Sequence, residues 1–149
     1  MKIKIAKMPQ LREIVDFLIG RFHASYADVL PPVEFGKVVL HIGKHINDGV
    51  VFVARDDDGA LCGVIAGMVT EPWFSGAKHV SEGVFFVDQT ARGTGVGADL
   101  LCHLKHWAQE KGLPLMCGVT TGDDLERKDR FFERNGLVKI GGIYRTKGK

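Results

Sequence analysis

The stretch of sequence that decides the fold covers residues 84–101 and reads VFFVDQTARGTGVGADLL. Its apolar start is typical of a strand, and its end opens an amphipathic helix. Between them, Arg92 is followed by three glycines at alternate positions, the last of which is Gly97. Glycines at a helix N-terminus let backbone N–H groups approach an anion without interference from Cβ, and the helix dipole adds partial positive charge there. The stretch therefore predicts a strand, a phosphate-binding loop and a helix in direct succession.

Length and composition favour a single domain over residues 1–149. The chain has 149 residues, of which 45% are hydrophobic, enough to bury one core. Its net charge of +2 is spread along the chain, so we expect neither nucleic acid nor a membrane surface as a partner. The sequence also has no apolar run of transmembrane length and no signal-peptide pattern. The three cysteines, Cys62, Cys102 and Cys117, are too few and too scattered for a disulfide framework, which predicts reduced thiols in a cytoplasmic protein.

Hydrophobic periodicity predicts an alternating α/β chain. The predicted strands cover residues 2–6, 50–55, 60–69, 79–87, 115–120, 137–140 and 143–146, and the strand at 60–69 is apolar on both faces and therefore central. The predicted helices cover residues 11–22, 35–46, 95–111 and 124–134. Hairpin-linked strands beside strand-helix-strand units indicate a mixed sheet with helices on both faces.

Three classes of phosphate-binding loop are candidates for the glycine-rich segment. A nucleoside-triphosphate loop is excluded because no lysine follows the glycines. A dinucleotide fingerprint fits Gly93, Gly95 and Ala98, but residues 88–92 separate these from the strand, which that fingerprint should follow directly. The third class is a loop for coenzyme A. A tight turn that serves packing alone remains the alternative without a ligand.

The element order and the loop resemble the GNAT superfamily of acyl-CoA N-acyltransferases. The pyrophosphate loop of that family reads Arg/Gln-x-x-Gly-x-Gly/Ala, which Arg92, Gly95 and Gly97 match, with Gly93 as a common extra glycine. Near its end, the family often reads Phe-Tyr-Glu-Lys-x-Gly-Phe, and residues 131–137 read FFERNGL. The resemblance covers nearly the whole chain.

This resemblance implies a GNAT fold, with a mixed, mostly antiparallel sheet of six to seven strands and helices on both faces. It implies an N-acetyltransferase that uses acetyl-CoA as cosubstrate, without a metal. The acceptor would be a primary amine of a small molecule or protein that attacks directly, and a homodimer is frequent in the family. By resemblance, backbone groups from Phe85 to Val87 meet the acyl carbonyl, and residues 115–119 form the far wall of the pantetheine slot. The implied loop residues are Arg92, Gly93, Thr94, Gly95, Val96, Gly97 and Ala98.

Amine acetylation requires a base, because an alkylamine with a pKa of about 10.4 arrives protonated. Glu82 is the strongest candidate, since it is the only acidic residue between His79 and Val87 and family members often carry a Glu near this point. The competing interpretation is a solvated glutamate near the start of a strand. Glu71 and His79 are the other candidates for the base.

The position from which many family members protonate the leaving thiolate with a tyrosine holds Phe132. Either Tyr144 or Tyr26 supplies the proton, or the thiolate departs unassisted or takes its proton from water. Phe132 also leaves a second class of function open, a non-catalytic acyl-CoA-binding module of the same fold.

A few other residues carry expectations that the structure tests. We expect His41 and His45 to be surface histidines and Cys117 to line the slot without acting as a nucleophile. The pair Trp73 and Phe74 either gates the acceptor pocket or packs its loop down. By resemblance, acceptor specificity arises in the region that contains Phe22, His23, Tyr26 and Phe35.

Overall fold

The computed structural model describes residues 1–148, in which the helices and strands alternate much as the periodicity predicts. The strands are Lys2–Ile5 (β1), Val50–Arg55 (β2), Leu61–Thr70 (β3), His79–Val87 (β4) and Leu115–Met116 (β5). The α-helices are Leu11–Phe17 (α1), His23–Tyr26 (α2), Phe35–Asp48 (α3), Val96–Glu110 (α4) and Leu125–Arg134 (α5). A π-helical turn, Leu18–Phe22, joins α1 to α2, and short 3₁₀ turns lie at Met8–Gln10 and Gln89–Ala91.

The strands form one mixed sheet in the order β1-β2-β3-β4-β5. The first four strands pair antiparallel, and β5 pairs parallel with β4. The predicted α/β class with a mostly antiparallel sheet is therefore confirmed. Strand β3 lies in the middle of the sheet, as its apolar faces predict.

Two hydrophobic clusters, one on each face of the sheet, hold the helices in place. Alternate residues of β2 divide between them, since Phe52 packs towards α4 and Val51 and Val53 pack towards α1 and α3. Burial of a leucine contributes about 1.5–3 kcal/mol, so the buried leucines Leu100, Leu101 and Leu104 anchor α4 firmly. This anchoring fixes the position of the glycine-rich loop directly before α4.

A β-bulge interrupts β4 at Gly83. Ala66 pairs with Val84 and Gly67 pairs with Glu82, so Gly83 is an extra residue in the ladder. A Cβ at Gly83 would lie 2.1 Å from Nε2 of His45, so α3 leaves room only for glycine. Nε2 of His41 donates a hydrogen bond to the Gly83 carbonyl at 2.7 Å, which ties the bulge to the same helix.

The predicted count of six to seven strands is wrong for residues 1–148, which contain five. Residues 137–140 and 143–146 form no strand, and the strand predicted over 115–120 is limited to Leu115–Met116. The apolar side chains of Val138, Ile140 and Ile143 are exposed. A strand needs a neighbour with free N–H and C=O groups, and β5 leaves the sheet after two residues, so no edge remains for the later segments to extend.

Candidate active site

The separation of β4 from β5 creates a concave site beside the glycine-rich loop. The two strands pair only through Val80 with Leu115 and Ser81 with Met116, and then diverge. A cavity of about 600 Å³, here called the reaction cavity, lies between them. Residues 82–87 form one wall, residues 118–121 form the opposite wall, and parts of the glycine-rich loop and of α5 close its ends. Of the predicted far wall, 115–119, only Gly118 and Val119 line the cavity.

The glycine-rich loop presents unpaired backbone donors at the start of α4. Gly93 and Gly95 have φ angles of 83° and 87°, a left-handed conformation that favours glycine. The first intrahelical bond of α4 runs from the Asp99 N–H to the Gly95 carbonyl at 3.0 Å, so the N–H groups of Val96, Gly97 and Ala98 have no intrahelical acceptor. This end of the helix is suited to an anion.

Most residues predicted for the site line the reaction cavity. These are Glu82, Phe85, Val87, Arg92, Gly93, Gly95, Gly97 and Ala98. Thr94 and Val96 are outside the lining, because Val96 is buried in the core beneath the loop and the Thr94 hydroxyl donates to the Ala91 carbonyl. The Thr94 N–H also donates to the Ala91 carbonyl, at 3.3 Å, so of these two residues only Val96 offers its backbone N–H to a ligand.

The bulge at Gly83 sets the direction in which β4 presents its N–H groups. Before the bulge, the Val80 N–H donates to the Pro114 carbonyl on the β5 side. After it, the Asp88 N–H donates to the Cys62 carbonyl on the β3 side. Val80 and Asp88 are eight residues apart, so in a regular strand their N–H groups would point to the same side. N–H groups alternate along a strand, so the extra residue turns the N–H groups of Phe85 and Val87 towards the gap beside β5.

The Val87 carbonyl points to the same side of β4 as the Val87 N–H group, and it accepts a hydrogen bond from Arg92. Nε of Arg92 donates to that carbonyl at 3.1 Å, which leaves the rest of the guanidinium beside the glycine-rich loop. Arg92 therefore links the end of β4 to the loop and contributes a positive charge at the same point.

Glu82 is the carboxyl group of the β4 wall. Burial raises its pKa from 4.5 to about 7, and the backbone N–H of Gly118 acts in the opposite direction. A carboxyl group with a pKa near neutrality can accept and release a proton at physiological pH, as a general base must. The alternative of a solvated glutamate is wrong, because Glu82 is largely desolvated. Neither Glu71 nor His79 lines the reaction cavity.

Aromatic rings form the part of the reaction cavity next to α5. Phe132 contacts Phe85 edge to face, with ring centroids 6.3 Å apart, and Phe131 contacts both rings. Phe132, which the resemblance places at the position of a tyrosine in many family members, lines the cavity, and so does Tyr26. Tyr144 does not line the cavity and is 94% exposed.

The residues expected to shape acceptor specificity divide into two groups. Phe22 and Tyr26 line the reaction cavity, whereas His23 and Phe35 do not. Trp73 and Phe74 contact each other edge to face, and Trp73 is 96% exposed. Because neither of these two lines a cavity or is buried, the structure supports neither the gating nor the packing interpretation.

Two of the other expectations need correction. His45 is not a surface histidine, since it is 6% exposed and its Nδ1 donates to the His41 carbonyl at 2.7 Å. Burial lowers its pKa, which favours the neutral ring. Cys117 packs against the core rather than lining the cavity. Burial raises its pKa to about 12, with the nearby Glu82 charge acting in the same direction, so the thiol is inert at neutral pH.

The sequence analysis did not predict that basic residues of α5 belong to the site. Arg127, Lys128 and Arg134 line the reaction cavity together with Phe131. Arg127, Phe131 and Arg134 lie four and three residues apart, a spacing that places them on one face of a helix. This spacing was readable in the sequence, but the helix is so polar all round that no single face stood out.

Neither a membrane span nor a metal cluster is found in the described part of the chain. No helix within residues 1–148 is long and apolar enough to cross a membrane. The same residues contain no group of three or more His, Cys, Asp or Glu side chains placed to hold a metal ion.

Comparisons with solved structures show the same fold in proteins described as acetyltransferases or putative acetyltransferases. AAC(6')-Iy, solved in complex with a bisubstrate analog, CoA-S-monomethyl-acetylneamine, superposes with a TM-score of 0.75 at 14% identity, over 99% of this chain and 97% of that one. A putative acetyl transferase from Pyrococcus furiosus gives a TM-score of 0.70 at 20% identity, over 97% and 99% of the two chains. An aminoglycoside acetyltransferase from an uncultured soil metagenomic sample, in complex with sisomicin, gives 0.69 at 20% identity, over 99% and 96%.

Sequence comparison supplies the family. No curated protein matches the chain in a sequence search. The sequence profile of the acetyltransferase (GNAT) family matches residues 12–137, which include the reaction cavity, the glycine-rich loop and α5. The chain therefore belongs to the acetyltransferase (GNAT) family and is an acyltransferase of that family.

Proposed function

We propose that the protein transfers an acetyl group from acetyl-CoA to a primary amine of a small molecule or a protein by direct attack. One observation carries the proposal. Glu82, with its pKa raised to about 7, faces the same cavity as the unpaired N–H groups of the glycine-rich loop. A base and an anion site in one cavity are what acetylation of an amine by a phosphorylated thioester carrier requires.

The residues present fit acetyl-CoA. The N-terminus of α4 offers N–H groups and dipole charge to a pyrophosphate, and Gly93 and Gly95, which have positive φ angles, carry no side chain that would obstruct it. Arg92, Arg127 and Arg134 add positive charge along the same cavity. When bound, acetyl-CoA supplies a thioester whose carbonyl carbon is open to attack by an amine.

The chain itself performs three tasks in this proposal. Glu82 takes the proton from the amine, directly or through a water molecule. The N–H groups of Phe85 and Val87 donate to the carbonyl oxygen as negative charge develops on it, and such preorganised donors are a large source of catalysis. The aromatic wall formed by Phe85 and Phe132 keeps bulk water from the reacting groups.

The likeness to aminoglycoside acetyltransferases supports a small-molecule acceptor, since AAC(6')-Iy and the soil metagenomic enzyme are described with aminoglycoside-type ligands. A protein amine remains the other acceptor class. We further propose a single domain over 1–149, a cytoplasmic location consistent with three free thiols, and a homodimer. No metal, nucleic acid or membrane enters this function.

The proposed function is tested by acceptor-dependent release of CoA. The purified protein is incubated with acetyl-CoA and a panel of primary amines, and free thiol is followed together with the mass of each amine. We expect thiol release to rise with amine concentration and to match the acetylated product one for one. Tight binding of acetyl-CoA without turnover of any amine would instead indicate the non-catalytic acyl-CoA-binding module.

Phe132→Tyr tests whether the protein must protonate the leaving thiolate. The substitution adds one oxygen at the cavity wall and keeps the ring contact with Phe85. We expect kcat to change by less than about threefold, because a thiol with a pKa of about 8.5 already departs readily near neutral pH.

Tyr26→Phe serves as the companion variant, since Tyr26 also lines the reaction cavity. A faster Phe132→Tyr enzyme, whose rate falls as the phenol ionises near about pH 10, would show instead that thiolate departure limits the wild-type enzyme. A marked loss in Tyr26→Phe would assign the proton to Tyr26.

A further inference from the structure

A second cavity adjoins the reaction cavity at the bulge of β4. It has a volume of about 590 Å³, lies between α3 and the π-helical turn, and is here called the side cavity. Phe22, Gly83 and Val84 line both cavities. A molecule seated in the side cavity would therefore end beside the residue that follows Glu82 in β4. This volume is in the usual range for a small-molecule site.

The floor of the side cavity is apolar. Leu18 and Ile42 are buried beneath it, and Val38 and Val84 add further apolar surface. Such a floor favours a ligand with a hydrocarbon or aromatic body, because burying that body removes apolar surface from water.

The rim of the side cavity is basic. Lys37, His41 and Lys44 lie at intervals of four and three residues, so they form one stripe along α3, with the two lysines roughly 10 Å apart along the helix axis. Neither lysine forms a salt bridge or a side-chain hydrogen bond within residues 1–148, and Nε2 of His41 is engaged with Gly83. Among the described residues that line this cavity, Glu34 is the one carboxylate.

This charge pattern opposes a polycationic acceptor. A polyamine ligand requires several carboxylates, whereas the side cavity offers two unpaired ammonium groups against one carboxylate. Of the carboxylates in the reaction cavity, Glu82 is proposed as the base, and Asp123 and Asp124 lie at the start of α5. There Asp124 pairs with Arg127 at 3.4 Å.

We infer that the side cavity holds the acceptor, and that the acceptor is a primary amine with an apolar body and an anionic group at its far end. The apolar floor takes the body, Lys37 and Lys44 bind the anionic group, and the amine lies at the bulge beside Glu82. This inference rests on the proposed function for the identity of the reaction, but the binding preference it states is independent of turnover.

Three amines of nearly equal shape test the inference. Benzylamine carries no second charge, 4-(aminomethyl)benzoate adds a carboxylate across the ring, and 4-(aminomethyl)benzylamine adds a second ammonium group there. Binding of each to the CoA-loaded protein is measured by calorimetry or ligand-detected NMR, and kcat/KM is measured with acetyl-CoA. We expect the carboxylate to bind roughly tenfold more tightly than benzylamine, the scale of one hydrogen bond to a charged group, and the diamine to bind least.

The double variant Lys37→Glu/Lys44→Glu should invert this order, so that the diamine binds better than the carboxylate. The control is Lys4→Glu, because Lys4 is an exposed lysine of β1 outside both cavities. This variant reverses one charge where the double variant reverses two, and it should keep the wild-type order. Equal binding of all three amines to the wild-type protein, or an order that survives the double variant, would overturn the inference. Selective binding without turnover of any of the three amines would leave the stated binding preference of the side cavity standing and would count against the proposed function instead.

Discussion

Gly97→Asp should abolish binding of coenzyme A while the protein remains folded. Gly97 is the second residue of α4 and lines the reaction cavity, so its side chain would enter the anion site. A carboxylate there repels a pyrophosphate and occupies the helix N–H groups itself. Hydrogen bonds to charged groups contribute about 1.5–3 kcal/mol each, so loss of two predicts a rise in Kd of roughly a hundredfold or more.

The fold should tolerate this substitution for two reasons. A Cβ at Gly97 would lie 3.6 Å from Phe131 and 3.7 Å from Val87, which is ordinary van der Waals contact. An acidic residue in the first turn of a helix is also favourable to the helix dipole. Thermal unfolding of Gly97→Asp should therefore resemble that of the wild-type protein.

Gly97→Asn is the matched control, because it has nearly the same shape without the charge. Calorimetric titration with CoA should show a clearly smaller loss for asparagine than for aspartate. Equal losses would mean that the side chain acts by its volume alone. Unchanged affinity in Gly97→Asp would refute the assignment of this loop to coenzyme A.

Glu82→Gln should lower kcat by roughly 10²–10⁴-fold, the usual range for removing a general base. The wild-type enzyme should lose activity below about pH 7, because burial raises the pKa of Glu82 to about 7 and only the carboxylate accepts a proton. In the variant this acid limb should disappear, while the affinity for CoA stays close to the wild-type value. Rates measured from pH 5.5 to 9 with a fixed amine check this expectation.

Glu71→Gln provides the control for loss of a carboxylate, since Glu71 lies outside the reaction cavity. It should keep nearly full activity. If Glu82→Gln instead kept most of its activity at neutral pH, the proton would pass to His79, Glu71 or solvent, and the proposed role of Glu82 would be wrong.

The burial of Glu82 also predicts how the stability of the protein changes with pH, which can be measured without an activity assay. The pKa of its carboxyl is higher in the folded protein than in the unfolded chain, so its contribution to stability is fully present below about pH 4.5 and is lost as pH rises through about 7. The loss is on the order of 3 kcal/mol in the free energy of unfolding. Urea unfolding should therefore find Glu82→Gln close to the wild-type protein at pH 4.5 and more stable at pH 8.5. An equal difference at both pH values would contradict the raised pKa.

Local sequence signals were sufficient to predict an element where its structure depends on residues of the same segment. The run of residues 79–87 predicted β4 with its observed bounds, and the glycines after Arg92 predicted a loop and the start of α4 to within one residue. The Asn-Asp-Gly sequence at 47–49 ended α3 where it was expected. In each case the required φ angle, cap or hydrophobic period belongs to neighbouring residues and is readable from them.

The site itself depends on distant segments, and only the tertiary structure decided it. Glu82 was a candidate from its place in a strand, but its raised pKa comes from its burial in the folded protein. The bulge at Gly83 depends on His41 and His45 of α3, and the early end of β5 removed the edge that strands at 137–140 and 143–146 would need. The sequence by itself determined most of the helices and strands and the position of the glycine-rich loop before α4. Packing between elements decided which strands separate, which carboxyl is desolvated and which lysines face one cavity. Burial and strand pairing are properties of contacts between segments and not of any one segment.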